Sequence, residues 1–89
     1  MIILIYRIKI VNIYNYFMRD SRSSILGFNI KIERIRKKIS QLELAELSNI
    51  SLNSIQKIEN GKQTPSALVL FDIAKALKID LAVLYKDIQ

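Results

Sequence analysis

Asn53, Gln56 and Lys57, with Leu52 beside them, fall at spacings that one face of a short helix presents together. Their side chains suit the edges of base pairs. Asn and Gln can pair with adenine, Lys with guanine, and an apolar side chain can pack on a thymine methyl. Other chemistry has little to work with. The chain has no cysteine and no histidine, which excludes thiol nucleophiles, imidazole acid–base catalysis, disulfides and any zinc site built from those residues. Two glycines in the whole chain leave nothing for a Gly-rich phosphate loop. No cleft, general base or oxyanion donor can be nominated, so no enzymatic role, cofactor or metal is expected.

The elements that would carry those four residues are legible in the punctuation of the chain. Ser40-Gln41-Leu42-Glu43 has the form of a capping box, and it predicts a helix that stops at Ser48-Asn49. Ser51 caps again, and Ile55 and Ile58 give the apolar spacing of a short helix ended by Asn60-Gly61. The two are joined only by Asn49-Ile50-Ser51, a connection short enough to turn the chain sharply, as in a helix-turn-helix over about 41–60. Ala45 must then be small where the helices cross. Ile50, Ile55 and Ile58 pin the second helix to the body, which leaves Leu52, Asn53, Gln56 and Lys57 facing outward.

Before this unit, Ser23 and Ser24 offer N-caps for a helix to about Lys38, and Phe28, Ile32, Ile35 and Ile39 follow the spacing of one helical face, predicted to be the core face. Ile30 and Arg34 lie beside that stripe, and Lys31, Arg36, Lys37 and Lys38 lie opposite. After the unit, Thr64-Pro65-Ser66 opens a fourth helix with a core stripe of Leu70, Ile73, Ala74 and Leu77. Asp80 caps a last short helix holding Leu81, Leu84 and Ile88. Five helices with short loops make a compact all-α domain over 24–89.

Residues 1–23 read differently. Fourteen of the first 18 residues are apolar, and the 1–23 segment carries +3 of the chain's formal charge of +6. A membrane span needs roughly 18–20 largely uncharged residues. Here Arg7 and Lys9 leave a charge-free stretch only from Ile10 to Met18. A secretory signal places its charges before the apolar run and ends at small residues, whereas the first alanine of this chain is Ala45. Neither a membrane nor a secretory role is expected. Ile8 and Ile10 alternate with Arg7 and Lys9, so a short extended arm is predicted, either an accessory strand or an upstream extension of a gene whose natural start is Met18. The five-helix unit, with core stripes complete from Ile25, is expected to fold without residues 1–17.

The stretch from Leu26 to Tyr85 resembles the lambda-repressor-like helix-turn-helix family, the Cro/repressor (XRE) type of bacterial and phage regulators. The resemblance is carried by Gly27, Ile30, Arg34, Ser40-Gln41, Leu44-Ala45, Ser51, Ile55, Ile58-Glu59, Gly61, Pro65-Ser66, Ile73-Ala74 and Ala76-Leu77. It implies an all-α lambda-repressor-like fold and a transcriptional regulator of a bacterial or phage cytoplasm, associated with the nucleoid. It also implies roles. Leu52, Asn53 and Lys57 match base-reading positions. Gln41, Ser51, Asn60 and Lys62 match phosphate contacts. Arg34 and Glu59 match an ion pair linking the first helix to the end of the third. Asn49 stands where the family usually has Gly, Ser48 where it has a large apolar residue, and Lys38 and Lys78 where it has helix-ending glycines. The Ser-Asn pair is similar to controller proteins of restriction–modification systems.

The expected function is therefore sequence-specific binding of a double-stranded DNA operator by a homodimer, with a recognition helix at about 52–60 in the major groove. Net charge does not mark that helix, because Ser40–Lys62 sums to −1. The dimer is expected through Val83 and Tyr85, with Ile88 nearby, which project from the last helix once Leu81 and Leu84 have joined the core. The competing reading is a protein-interaction module, such as the antitoxin of a toxin–antitoxin pair, with the N-terminal arm holding a partner protein.

Overall fold

The computed structural model describes residues 21–88, so the N-terminal arm predicted over 1–23 lies almost wholly outside the described residues. The described chain is helical, with no strand among the described residues. Helix α1 occupies residues 21–36, followed by α2 (Gln41–Ser48), α3 (Leu52–Glu59), α4 (Ala67–Leu77) and α5 (Leu81–Leu84). Helices α2 and α4 pack against one another, α3 packs on α2, and α5 closes against α4. One core joins them: Leu26 and Ile30 from α1, Leu44 and Ala45 from α2, Ile55 and Ile58 from α3, Leu70, Ile73, Ala74 and Leu77 from α4, and Leu84 from α5.

Each helix from α2 onward starts on an oxygen-bearing cap. The Ser40 hydroxyl accepts from the Glu43 amide at 3.0 Å while the Glu43 carboxylate accepts from the Ser40 amide at 3.3 Å, a complete capping box. Ser51 accepts from the Ser54 amide, Ser66 from Val69 and Asp80 from Ala82. The ends of α1 to α4 are equally uniform. Lys38, Asn49, Gly61 and Lys78 all adopt the left-handed conformation. In each case the following amide reaches back five residues: Ile39 to Arg34, Ile50 to Ala45, Lys62 to Lys57 and Ile79 to Ala74. These are Schellman closures. Three of the four place an isoleucine immediately after the left-handed residue, and Ile39, Ile50 and Ile79 all pack against the core.

Two expectations for α1 are corrected. Its core face is not Phe28–Ile32–Ile35–Ile39: Phe28 and Ile35 are 58% and 51% exposed, while Leu26 and Ile30 are buried. The rotation is set by contacts on the opposite side of the helix. A Cβ on Gly27 would clash with the carbonyl oxygen of Ile58, so α1 crosses the end of α3 at backbone contact there. Arg34, one turn past Ile30, points the same way. An isoleucine-rich helix carries two apolar stripes, and tertiary contact selects between them. Ser23 and Ser24 are not N-caps either, since the helix already runs through residue 21. They are small because the α3–α4 connection lies on them. The Ser23 hydroxyl bonds that of Thr64 at 2.6 Å, and Ser24 touches Gly61 where a Cβ would stand.

Candidate nucleic-acid interface

The α2–turn–α3 unit is built on small and satisfied groups. Ala45 is 4% exposed beneath the turn, and Asn49, with φ 55°, makes the sharp exit from α2. Ser48 is buried, with its hydroxyl donating to the Leu44 carbonyl at 2.5 Å, while Leu47 stands in solvent. A polar residue thus occupies the inward position at the end of α2 without leaving an unpaired group, because its own helix accepts the proton.

Helix α3 divides cleanly. Ile55, Ile58 and Glu59 are buried, whereas Leu52, Asn53, Gln56 and Lys57 are exposed on one face. The side chains of Asn53, Gln56 and Lys57 make no hydrogen bond to any other described residue, so their donors and acceptors are available. Leu52 forms one edge of a shallow groove of about 350 Å³ with Leu42, Ala45 and Glu46 of α2. Ser51, Asn60 and Lys62 are exposed at the two ends of α3. Ser51 spends its hydroxyl oxygen on the cap but keeps its proton to donate.

Behind that face lies a charged cluster. Arg34 donates from Nε to Glu59 Oε2 at 2.8 Å and from Nη2 to Oε1 at 3.1 Å, a two-pronged ion pair. Its Nη1 donates to the Ile39 carbonyl at 2.9 Å, tying the pair to the α1 closure. Side-chain exposure is 12% for Arg34 and 1% for Glu59. A third donor meets the same carboxylate: Gln41 Nε2, from the first residue of α2, lies 3.1 Å from Glu59 Oε1. The structure therefore joins Gln41, Arg34 and Glu59 in one network. No sequence pattern announces the link from Gln41 to Glu59, since two polar residues 18 positions apart carry no periodicity of their own.

The residues at the other end of the domain are arranged differently. Val83 and Tyr85 are 38% and 43% exposed on α5 and at its end. Ile88 is half-buried and packs against the core. Asn29 also acts here, donating from Nδ2 to the carbonyls of Leu84 at 2.9 Å and Lys86 at 2.7 Å, so α1 holds the chain that leaves α5.

The family described as helix-turn-helix matches residues 30–84. An HTH-type transcriptional regulator of Mycobacterium tuberculosis is 41% identical over 59 residues, covering 66% of this chain and 42% of that protein. The chain thus aligns with less than half the length of that relative. The ImmF control region 10 kDa protein of Bacillus phage phi105 is 39% identical over 59 residues, 66% of either chain. Among solved structures, the restriction–modification controller protein C.AhdI from Aeromonas hydrophila superposes with a TM-score of 0.71 at 26% identity, covering 72% of this chain and 97% of that one.

Proposed function

The chain belongs to the helix-turn-helix family, and from that premise we propose that it binds a specific double-stranded DNA operator as a homodimeric transcriptional regulator. The observation that carries the reading is the outward face of α3, where Asn53, Gln56 and Lys57 are exposed with uncommitted polar groups beside Leu52. In the major groove, Asn53 and Gln56 read adenine, Lys57 reads guanine, and Leu52 packs on a thymine methyl. Gln41, Ser51, Asn60 and Lys62 bracket that face and anchor the phosphates on either side, which fixes register without reading sequence.

One short recognition helix offers few base contacts, so two protomers on half-sites about one helical turn apart supply the affinity. Val83 and Tyr85, beside Ile88, form the protomer contact in this reading. A binder of this kind acts on the nucleoid in the cytoplasm, and it needs no catalytic group. No helix among the described residues is long and apolar enough to cross a membrane.

The test is selection of bound duplexes from a random pool, followed by footprinting. Enrichment of a sequence with two related half-sites about 10 base pairs apart, both protected by the full chain, is the expected result. Equal affinity for every duplex would remove the sequence-specific reading.

A further inference from the structure

The stripe Phe28–Ile32–Ile35 lies on α1 directly opposite the core. Phe28 and Ile35 are more than half exposed, and Ile32 between them is half-buried. Between Phe28 and Ile32 of this stripe and the chain from Ala82 to Asp87 runs an open groove of about 710 Å³, with Val83 among its apolar walls and Ile35 just outside it on the same stripe. Its charged lining consists of Glu33, Arg36, Lys86 and Asp87. Glu33 and Arg36 pair with each other at 3.2 Å, while Lys86 and Asp87 make no ion pair with a described residue.

Three features identify the occupant. The first is charge. The chain is +6 overall, so two copies repel over most approaches, but this lining holds two acids and two bases and sums to zero. An interface between identical copies related by a two-fold axis brings one patch against itself. A mixed-sign rim can satisfy that condition, acid against base in both directions. A strand of nucleic acid or a peptide of one sign would meet like charge on this rim.

The second feature is area. Val83 and Tyr85 are two partly exposed side chains, far from the roughly 800 Å² per partner that a stable dimer buries. Val83 belongs to both surfaces, so the α1 stripe extends the same face rather than forming another. The third is preorganisation. Asn29 fastens the chain after α5 to α1 through two hydrogen bonds, so the groove walls are set before anything enters, and ordering them costs a partner little.

We propose that a second copy of this chain covers the groove, with Phe28, Ile32 and Ile35 continuing the Val83 contact into one homodimer interface. The proposal rests on the homodimeric reading above and deepens it by naming the surface the partner uses.

The absence of cysteine from the chain gives a direct test. Phe28→Cys and Ile35→Cys each introduce the only thiol, and Glu46→Cys places a control on the exposed side of α2. Labelling of the full chain by a charged thiol reagent is timed at protein concentrations on both sides of the dimer transition found by sedimentation. The expected result is labelling at least tenfold slower in the dimer than in the monomer at positions 28 and 35, with no change at position 46. A folded variant that fails to dimerise where the parent does would support the same surface. Fast labelling of a confirmed dimer would overturn the inference and leave the homodimer intact. Slow labelling at every concentration would show cover by the chain's own residues and also overturn it. A parent chain that is monomeric both free and on DNA would instead defeat the homodimeric reading itself.

Discussion

Gln41 and Glu59 share a hydrogen bond, Nε2 to Oε1 at 3.1 Å, between the first residue of α2 and the last of α3. The carboxylate that receives it also takes both prongs of Arg34. The side chain proposed to anchor DNA phosphate is thus oriented from within the domain, by a buried charge rather than by solvent. Its amide NH₂ faces Glu59, and the second proton of that group remains for a phosphate oxygen.

Removing one partner of the Arg34–Glu59 pair leaves a charge with little access to water. Arg34→Met and Glu59→Leu should each lower unfolding free energy by about 3–5 kcal/mol, and the double replacement should recover much of that loss. Urea unfolding of the three variants closes the cycle. Small, additive losses would mean that the pair contributes no coupling in solution.

On the DNA side, Asn53→Ala and Lys57→Ala should each weaken operator binding by about 1–3 kcal/mol and relax preference at one base pair. Gln41→Ala should instead weaken all sequences to a similar degree. Quantitative footprinting on the selected operator and on single-base variants separates the two patterns. Unchanged affinity and specificity for both α3 variants would place the base-reading surface elsewhere.

Salt dependence checks the phosphate contacts as a group. The log of the binding constant should fall linearly with the log of salt concentration, with a slope of about −0.9 per phosphate neutralised. Lys62→Ala should make that slope shallower by about one. A slope near zero in the parent chain would exclude a phosphate-dominated complex.

Lys78 sits exposed at φ 56°, in a conformation that a side chain with Cβ adopts at a cost. Lys78→Gly should raise stability by about 0.5–1 kcal/mol, the strain relieved exceeding the extra entropy glycine brings to the unfolded chain. Thermal unfolding of the variant reads this directly. A lower midpoint would show that the lysine chain contributes packing larger than its strain.

Much of the fold could be read from local chemistry because local chemistry dictates it. Ser40 with Glu43, Ser51, Ser66 and Asp80 announce helix starts through bonds spanning two or three residues. The rotation of α1 could not be read that way. Leu26–Ile30 and Phe28–Ile32–Ile35 are both valid apolar spacings, and what separates them is the contact of Gly27 with α3, about thirty residues away. The family pattern pairs Arg34 with Glu59 and matches Gln41 only to a phosphate contact, whereas the bond that joins Gln41 to the pair spans 18 positions and has no local signature.

The helix closures at Lys38-Ile39, Asn49-Ile50 and Lys78-Ile79 have a consequence for how the chain can change length. Connections between helices are ordinarily where insertions are absorbed. Here each of those three connections delivers an isoleucine to the core within one residue of the reversal, so an added residue would displace core packing as well as the turn. The α3–α4 connection is held differently, by the buried Pro65 and by the bond of Thr64 to Ser23, with Gln63 exposed just before them. Lengthening there must keep Thr64 and Pro65 in place, so every connection from α1 to α5 is fixed in length by what it delivers to the interior.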